Sequence, residues 1–196
     1  MASFAHQLLR VAAFGILCLG ITTSGLTAEY QKIIDRKVFY HSPDRKMRAV
    51  VVYYQRYLYG AGESRVDIRD GQGRLVGSED YTCGGTQGFR VKQTAWSADS
   101  RFFVFSVVNA GGHSPTYTPM TFYDVRRHRF YSVNTLAKNG MITNDHFRLA
   151  APASLTVDTW DEKTTINLHH LTKKNRQAAA AEERDFIDRL RKNANQ

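Results

Sequence analysis

Residues 42–54 read SPDRKMRAVVVYY, and residues 97–109 read SADSRFFVFSVVN. Each stretch begins with Ser-x-Asp and continues into an apolar run of β-branched and aromatic residues, which favours a β-strand. The Asp side chain accepts hydrogen bonds from backbone N–H groups two residues further on, and Pro43 restricts φ in the first stretch. Each Ser-x-Asp therefore predicts a tight turn inside a β-hairpin.

The two stretches belong to a longer duplication, because they start at residues 42 and 97, which are 55 residues apart. In each copy a second strand follows and ends in an acid, Asp70 in one and Asp124 in the other. A polar turn and a third apolar strand come next, at residues 75–76 and 130–133. Self-similarity at such a spacing indicates a repeated supersecondary unit.

Residues 96–105 (WSADSRFFVF) and residues 41–46 (HSPDRK) carry a resemblance to a known family. They resemble the TolB-type β-propeller repeat: an aromatic residue, Ser-Pro-Asp-Gly-Lys, an apolar strand, a loop, a strand that ends in Asp, and a turn. The resemblance covers residues 37 to about 134, and Arg45 and Ser100 replace the glycine that the family has after Asp. It implies packed four-stranded sheets and says little about activity, because propellers host many functions.

Two clear copies are fewer than the roughly four to eight blades of a closed propeller. A third, weaker unit is predicted at residues 155–160 and 165–168, with residues 161–163 as its turn. The chain could form an open pair of packed sheets or assemble into a larger ring, and the open pair is favoured because the C-terminal segment can cover exposed sheet edges. The predicted fold class is mainly β: partial propeller-like antiparallel sheets in two to three repeat units, one C-terminal α-helix and an N-terminal signal peptide.

Residues 1–28 have the organisation of a secretion signal. One Arg and no acid precede an apolar run at residues 11–21, and small residues lead to Ala28. The run is shorter than the roughly 20 residues that cross a bilayer. We therefore predict cleavage after Ala28, a periplasmic or secreted location, and no stable membrane insertion after cleavage. A membrane-anchored protein that retains this segment is the alternative.

The rest of the chain divides into a β-rich propeller-like domain, residues 29–172, and a C-terminal helical segment, residues 173–196. Residues 175–193 are rich in Ala, Glu and Arg, which favour helix. One face of this helix collects mostly apolar side chains, from Ala179, Glu183, Phe186, Ile187 and Leu190. The pattern predicts an amphipathic helix docked by Phe186, Ile187 and Leu190.

The chain is basic, with 27 Lys and Arg against 18 Asp and Glu, and a formal net charge of +9. The densest basic groups lie at residues 126–129 and 173–176. A basic surface attracts acidic partners. For an exported chain we expect an envelope or secreted protein partner or an anionic polymer, not nucleic acid, and self-association into a homo-oligomer is a further expectation.

Familiar catalytic signatures are not found in the sequence. It has no G-x-S-x-G elbow, no P-loop and no dinucleotide-binding glycine pattern. The seven histidines include no H-x-x-x-H pair, and we predict no metal site and no cofactor. The preferred function is thus an exported, non-catalytic binding or scaffold module of the cell envelope. The alternative is a small envelope enzyme that uses His113 or the lone remaining cysteine, Cys83, which we expect to be buried or paired with another chain.

Two loops, residues 59–64 and 109–118, are longer than a hairpin needs and occupy equivalent positions in the two repeats. Function tends to lie on such loops. The predicted binding surface consists of aromatic and polar side chains on or near them, namely Arg56, Tyr59, His113 and Tyr117. No residue is assigned a catalytic role.

Overall fold

The structure, a computed structural model, describes residues 32–55, 62–84, 88–110, 118–137 and 141–194. In these residues the chain is mainly β, with three antiparallel sheets and one C-terminal helix. The predicted fold class is confirmed in these respects. The predicted signal peptide, residues 1–28, lies outside the described residues.

Within each sheet of the described chain, strands that are consecutive in the sequence are hydrogen-bonded neighbours. In chain order they are β1 (Ile34–His41), β2 (Met47–Tyr54), β3 (Ser64–Asp70), β4 (Leu75–Asp80), β5 (Phe89–Trp96), β6 (Phe102–Asn109), β7 (Met120–Asp124), β8 (Arg129–Ser132), β9 (Ile142–Ala150), β10 (Ser154–Thr159) and β11 (Lys163–Asn167). The first sheet has the order β1-β2-β3-β4, the second β5-β6-β7-β8, and the third β11-β10-β9. Helix α1 (Lys173–Ala194) completes the described fold.

Both predicted Ser-x-Asp hairpins are confirmed. Ser42 Oγ donates to Asp44 Oδ1 at 2.7 Å, and Ser97 Oγ donates to Asp99 Oδ1 at 2.6 Å. In each turn the serine Oγ also accepts a hydrogen bond from the backbone N–H five residues on. One short polar motif thus closes the β1–β2 turn and the β5–β6 turn in the same way.

The residue after each Asp adopts an unusual backbone conformation. Arg45 has φ 58° and Ser100 has φ 63°, in the left-handed region that favours glycine. Ser100 is held there by a contact between the two turns, because its Oγ accepts a 2.9 Å hydrogen bond from Asp44 N. The two hairpins therefore touch at their turns.

The second sheet lies between the other two, and core residues pack on both of its faces. Along β6, Phe103 and Phe105 belong to the apolar cluster shared with the first sheet, whereas Phe102 and Val104 belong to the cluster shared with the third. Successive strand residues point to opposite faces. The alternation therefore makes β6 the centre of a three-layer stack.

Side chains also bridge the sheets at their edges. Gln93 of β5 donates from Nε2 to Phe147 O and accepts at Oε1 from Phe147 N, each at 2.9 Å. Its amide thus bonds β9 as a backbone strand would. Trp96 Nε1 donates to Tyr40 O at 2.8 Å and joins β5 to β1 in a similar way.

The third sheet contains one strand more than the sequence indicated. The predicted strands at residues 155–160 and 165–168 correspond to β10 and β11, but β9 was not predicted. The second of these strands ends at Asn167, where the side chain accepts a hydrogen bond from His169 N and starts a short 3₁₀ helix, Leu168–His170.

Helix α1 docks through the predicted face. Ile187 and Leu190 are buried, and Phe186 is half-buried with its ring centroid 5.0 Å from that of Phe89 and 6.1 Å from that of Tyr81. The helix packs against β8 and the 3₁₀ helix Asn134–Leu136. In the described part of the chain, no helix combines the length and apolar character needed to cross a membrane.

Candidate functional site

A groove of about 480 Å³ lies along α1, where the helix meets β8 at the edge of the second sheet. Its lining comes from two strand residues and five helix residues: Arg129, Tyr131, Lys173, Arg176, Gln177, Ala180 and Arg184. Four of these side chains are cationic and none is acidic. The groove therefore has the charge of an anion-binding site.

The helix contributes its residues to the groove through their spacing. Residues 173, 176, 177, 180 and 184 have the spacing i, i+3, i+4, i+7 and i+11, so they form one stripe along α1. Arg129 and Tyr131 are two residues apart in β8 and share one face of the strand. Elements that are distant in the sequence thus supply the two walls of the groove.

Two of the arginines are anchored to the backbone. Arg176 Nη1 donates to Leu171 O, and Arg184 Nε donates to Ala180 O at 3.2 Å. A guanidinium has five N–H donors, so one such bond orients the group and does not exhaust its donors. Fixed guanidinium groups suit carboxylate or phosphate ligands, which they bind in pairs of parallel hydrogen bonds.

A smaller cleft, of about 210 Å³, adjoins the groove between β4, β8 and α1. It shares three lining residues with the groove and adds acidic and neutral ones; the shared residues are Arg129, Ala180 and Arg184. Glu79 and Glu183 line the cleft, together with His128. The basic groove and the acidic cleft are therefore neighbours along one helix.

Glu183 is 3% exposed and accepts two hydrogen bonds, one from Tyr81 Oη at 2.8 Å and one from Thr121 Oγ1 at 2.9 Å. Burial raises the pKa of Glu183 from 4.5 to about 8, and burial likewise raises the pKa of Glu79 to about 7. Both carboxyl groups hold protons near neutral pH more readily than exposed ones do. They therefore cancel less of the positive charge in the adjacent groove.

Cys83 is buried, at 3% exposure. Its backbone N–H donates to Glu63 Oε1 at 3.0 Å, and Gly88 N donates to the same oxygen at 2.8 Å. Burial and then the charge of Glu63 raise the pKa of the Cys83 thiol. A catalytic cysteine needs a thiolate, so this environment opposes the nucleophilic role considered from the sequence.

The residues predicted to form the binding surface, Arg56, Tyr59, His113 and Tyr117, lie outside the described residues. The structure instead brings together the two densest basic groups of the sequence, because Arg129 lies in the same groove as Lys173 and Arg176. The sequence contained a signal for one wall, the helical spacing of residues 173–184. It had no signal for the pairing of that stripe with β8.

A second polar cluster joins the second and third sheets. His169 Nε2 lies 2.7 Å from Asp99 Oδ2, and Arg101 Nη1 lies 3.0 Å from His169 Nδ1. These contacts tie the β5–β6 turn to the 3₁₀ helix that follows β11. In the described ranges, no three His, Cys, Asp or Glu side chains are grouped so that they could hold a metal ion.

The chain matches no protein-family model, no curated protein and no solved structure. The groove is therefore interpreted from its own geometry and charge.

Proposed function

We propose that this chain is an exported, non-catalytic binding module of the cell envelope whose ligand is anionic and binds in the groove between α1 and β8. The observation that carries the proposal is the lining of that groove, in which the described residues include Arg129, Lys173, Arg176 and Arg184 and no acidic side chain. Hydrogen bonds between charged partners are stronger than those between neutral ones, so several such groups in one groove favour an anion.

Export rests on the sequence of residues 1–28, and the location that it supports is the periplasm or the exterior of the cell. The relation to TolB-type repeats is part of the same proposal. It is supported by the sequential strand order of the first two sheets and by positive φ at Arg45 and Ser100, where the family has glycine. This relation concerns the fold, and the ligand is inferred from the chemistry of the groove.

Binding is favoured over catalysis by the state of the buried titratable groups. Both carboxyl oxygens of Glu183 are engaged by hydroxyl groups, an arrangement that fixes the helix. The Cys83 thiol is buried, and its raised pKa disfavours the thiolate. Arginine keeps its proton at any physiological pH, so it suits the binding of charge and not proton transfer.

The test is a titration of residues 29–196 with long-chain inorganic polyphosphate, followed by calorimetry, for the wild type and for Arg176→Gln and Arg184→Gln. We expect each groove substitution to weaken binding at least about tenfold, since a hydrogen bond to a charged group is worth about 1.5–3 kcal/mol.

The matched control is Arg189→Gln, which removes the same charge from an exposed position of α1 that is not part of the groove. Its affinity should stay within about twofold of the wild type. Equal weakening by Arg189→Gln and Arg176→Gln would mean that net charge alone attracts the polymer, and it would overturn the groove as the binding site. Thermal unfolding of each variant establishes that the fold is retained.

A further inference from the structure

We infer that the ligand of the groove is an extended polyanion, a flexible chain with negative charges repeated along it, which lies lengthwise along α1. The inference rests on the proposed function and names the class of its ligand. The first supporting observation is the length of the cationic stripe along α1. Lys173 and Arg184 are eleven residues apart on one helix, which corresponds to about 16 Å at about 1.5 Å per residue.

That distance separates the helix positions, and the backbone anchors keep the guanidinium groups apart as well, because Arg176 bonds Leu171 O and Arg184 bonds Ala180 O. Charge-assisted hydrogen bonds join atoms about 2.7–2.9 Å apart, so one small anion reaches donors at one end of the stripe only. Lys173 and Arg176 lie at the start of the helix, and Arg184 lies about two turns beyond Arg176. Arg129 and Arg184 also line the adjoining cleft, where Glu79 and Glu183 mark the end of the cationic lining. Separate charges on one ligand fit this arrangement.

The groove does not offer the features that nucleic acid uses. Single-stranded nucleic acid is held by aromatic rings on which bases stack. Among the described residues of the lining, the one aromatic side chain is Tyr131, which is 4% exposed and has its ring stacked on Phe122, with centroids 5.2 Å apart and planes 16° apart. The ring is therefore engaged in the core, and the lining offers charge contacts without a base-stacking platform.

A membrane surface is also disfavoured. Surface-binding helices insert large apolar side chains beside their basic residues. In the described residues the exposed large apolar side chains lie elsewhere: Ile33, Ile34, Phe39, Leu75, Met141 and Trp160. Neither α1 nor β8 carries one of them. A soluble chain that enters the groove fits better than a flat layer of headgroups.

Phosphodiester and carboxylate polymers share the required chemistry, because guanidinium groups bind both anions in bidentate fashion. Envelope polymers of either kind present such charges at regular intervals along a flexible chain. The groove thus defines the ligand as a polyanion. A direct comparison of phosphate and carboxylate polymers identifies the anionic group.

The experiment is a length series on residues 29–196, with orthophosphate, pyrophosphate, tripolyphosphate and polyphosphates of increasing length. We expect affinity to rise at least tenfold from orthophosphate to chains that span the stripe. For longer chains, the affinity per bound protein molecule should stay constant. The plot of log K against log salt should steepen over the same range, because each neutralised phosphate adds to the slope. Arg176→Gln should reduce the slope for long chains by about one.

The possible failures are distinguishable. If orthophosphate binds as tightly as the long chains and both depend on Arg176 and Arg184, the groove is a single-anion site, and the polyanion inference is overturned while the proposed function stands. If no member of the series binds, or if Arg189→Gln weakens binding as much as Arg176→Gln does, the proposed function itself fails.

A second arm compares three polymers of matched charge with a membrane surface. The polymers are poly(glycerol phosphate), polygalacturonate and single-stranded oligothymidine, and the membrane surface is a vesicle that contains phosphatidylglycerol. Binding of either soluble envelope-type polymer, dependent on Arg176, supports the inference, and the tighter of the two identifies the anionic group. Tighter binding of oligothymidine or of vesicles than of both polymers would overturn it.

Discussion

Tyr81 Oη donates a 2.8 Å hydrogen bond to Glu183 Oε1 and so joins the loop after β4 to the buried face of α1. The second carboxyl oxygen accepts from Thr121 Oγ1 of β7 at 2.9 Å. One side chain of the helix thus bonds both the first and the second sheet regions. Ala180 and Arg184, which line the groove, lie within one turn of Glu183, so this contact also positions the groove wall.

Replacement of Glu183 by Gln tests this contact through its pH dependence. Burial raises the pKa of Glu183 from 4.5 to about 8. The protonated carboxyl therefore contributes stability that is complete below about pH 4.5 and is lost as the pH rises through 8. The side chain introduced by Glu183→Gln is neutral at every pH. The free energy of unfolding of Glu183→Gln should therefore exceed that of the wild type at pH 9 by more than about 1.4 kcal/mol, the equivalent of one pKa unit.

Urea denaturation at pH 5 and at pH 9 measures the effect, and the two proteins should be nearly equal at pH 5. Asp185→Asn serves as the control, since it removes a carboxylate from an exposed position of the same helix. The loss of wild-type stability between the two pH values also includes Glu79, whose pKa burial raises to about 7, in wild type and variant alike. An identical pH profile for Glu183→Gln and wild type would show that the carboxyl is not buried as described.

The turn residue Arg45 offers a stabilising substitution. It is exposed and holds φ 58°, a conformation that costs a non-glycine residue roughly 1–2 kcal/mol. Arg45→Gly removes this cost and loses about 0.5–1 kcal/mol through the greater freedom of the unfolded chain. We expect a net gain of about 0.5–1 kcal/mol in the free energy of unfolding, measured with urea.

Ser100→Gly is the informative comparison, because Ser100 has a similar φ of 63° but also accepts the hydrogen bond from Asp44 N. Its gain should be smaller than that of Arg45→Gly or should vanish. A loss of stability in Arg45→Gly would contradict the backbone conformation assigned to this turn.

Gly88 occupies a position where a methyl group has no room. A Cβ there would lie 2.3 Å from Glu63 Oε1 and 2.5 Å from the backbone oxygen of Tyr81. Because the backbone cannot move aside cheaply, Gly88→Ala should cost about 2–3 kcal/mol. Gly84→Ala is the control: its φ of 62° is unfavourable for Ala, but no atom of the described residues lies within 4 Å of the added Cβ, so a cost of about 1 kcal/mol is expected. Equal costs in thermal or urea unfolding would argue against the packing around Glu63.

The reactivity of Cys83 distinguishes a buried thiol from a nucleophile. Burial and the neighbouring Glu63 raise the thiol pKa, and thiolate is the reactive form. Labelling with a disulfide reagent at pH 8 should be slower in the folded protein than in urea by a factor of at least about a hundred. Rapid labelling of the folded protein with a midpoint below pH 7 would instead support the enzymatic alternative.

Local chemistry explains what the sequence predicted well. The Ser-x-Asp turns close through hydrogen bonds within a few residues, and α1 follows from its composition and spacing. The strand β9 was not predicted because its pairing is irregular: Ile142 pairs with Thr159 and Phe147 with Val157, so four residues of β9 between these pairs lie opposite one residue of β10. Such a shift breaks the alternation on which strand prediction depends.

The groove was not predicted from the sequence for a different reason. The sequence identified both basic groups, at residues 126–129 and 173–176, but the approach of Arg129 to the helical stripe depends on how α1 packs against β8. Glu183 was placed correctly on the mostly apolar face of the helix. Its partners Tyr81 and Thr121 come from distant parts of the chain, and only tertiary packing unites them.

The central claim is the location of the anionic ligand, and amide chemical-shift mapping tests it most directly. A ¹⁵N-labelled sample of residues 29–196 is titrated with polyphosphate long enough to span the helical stripe. We predict the largest shifts at residues 129–131 and 173–184. Shifts centred instead on the first sheet, where Arg65 and Arg69 already pair with Asp67, would show that the polymer binds elsewhere and that the groove is not its site.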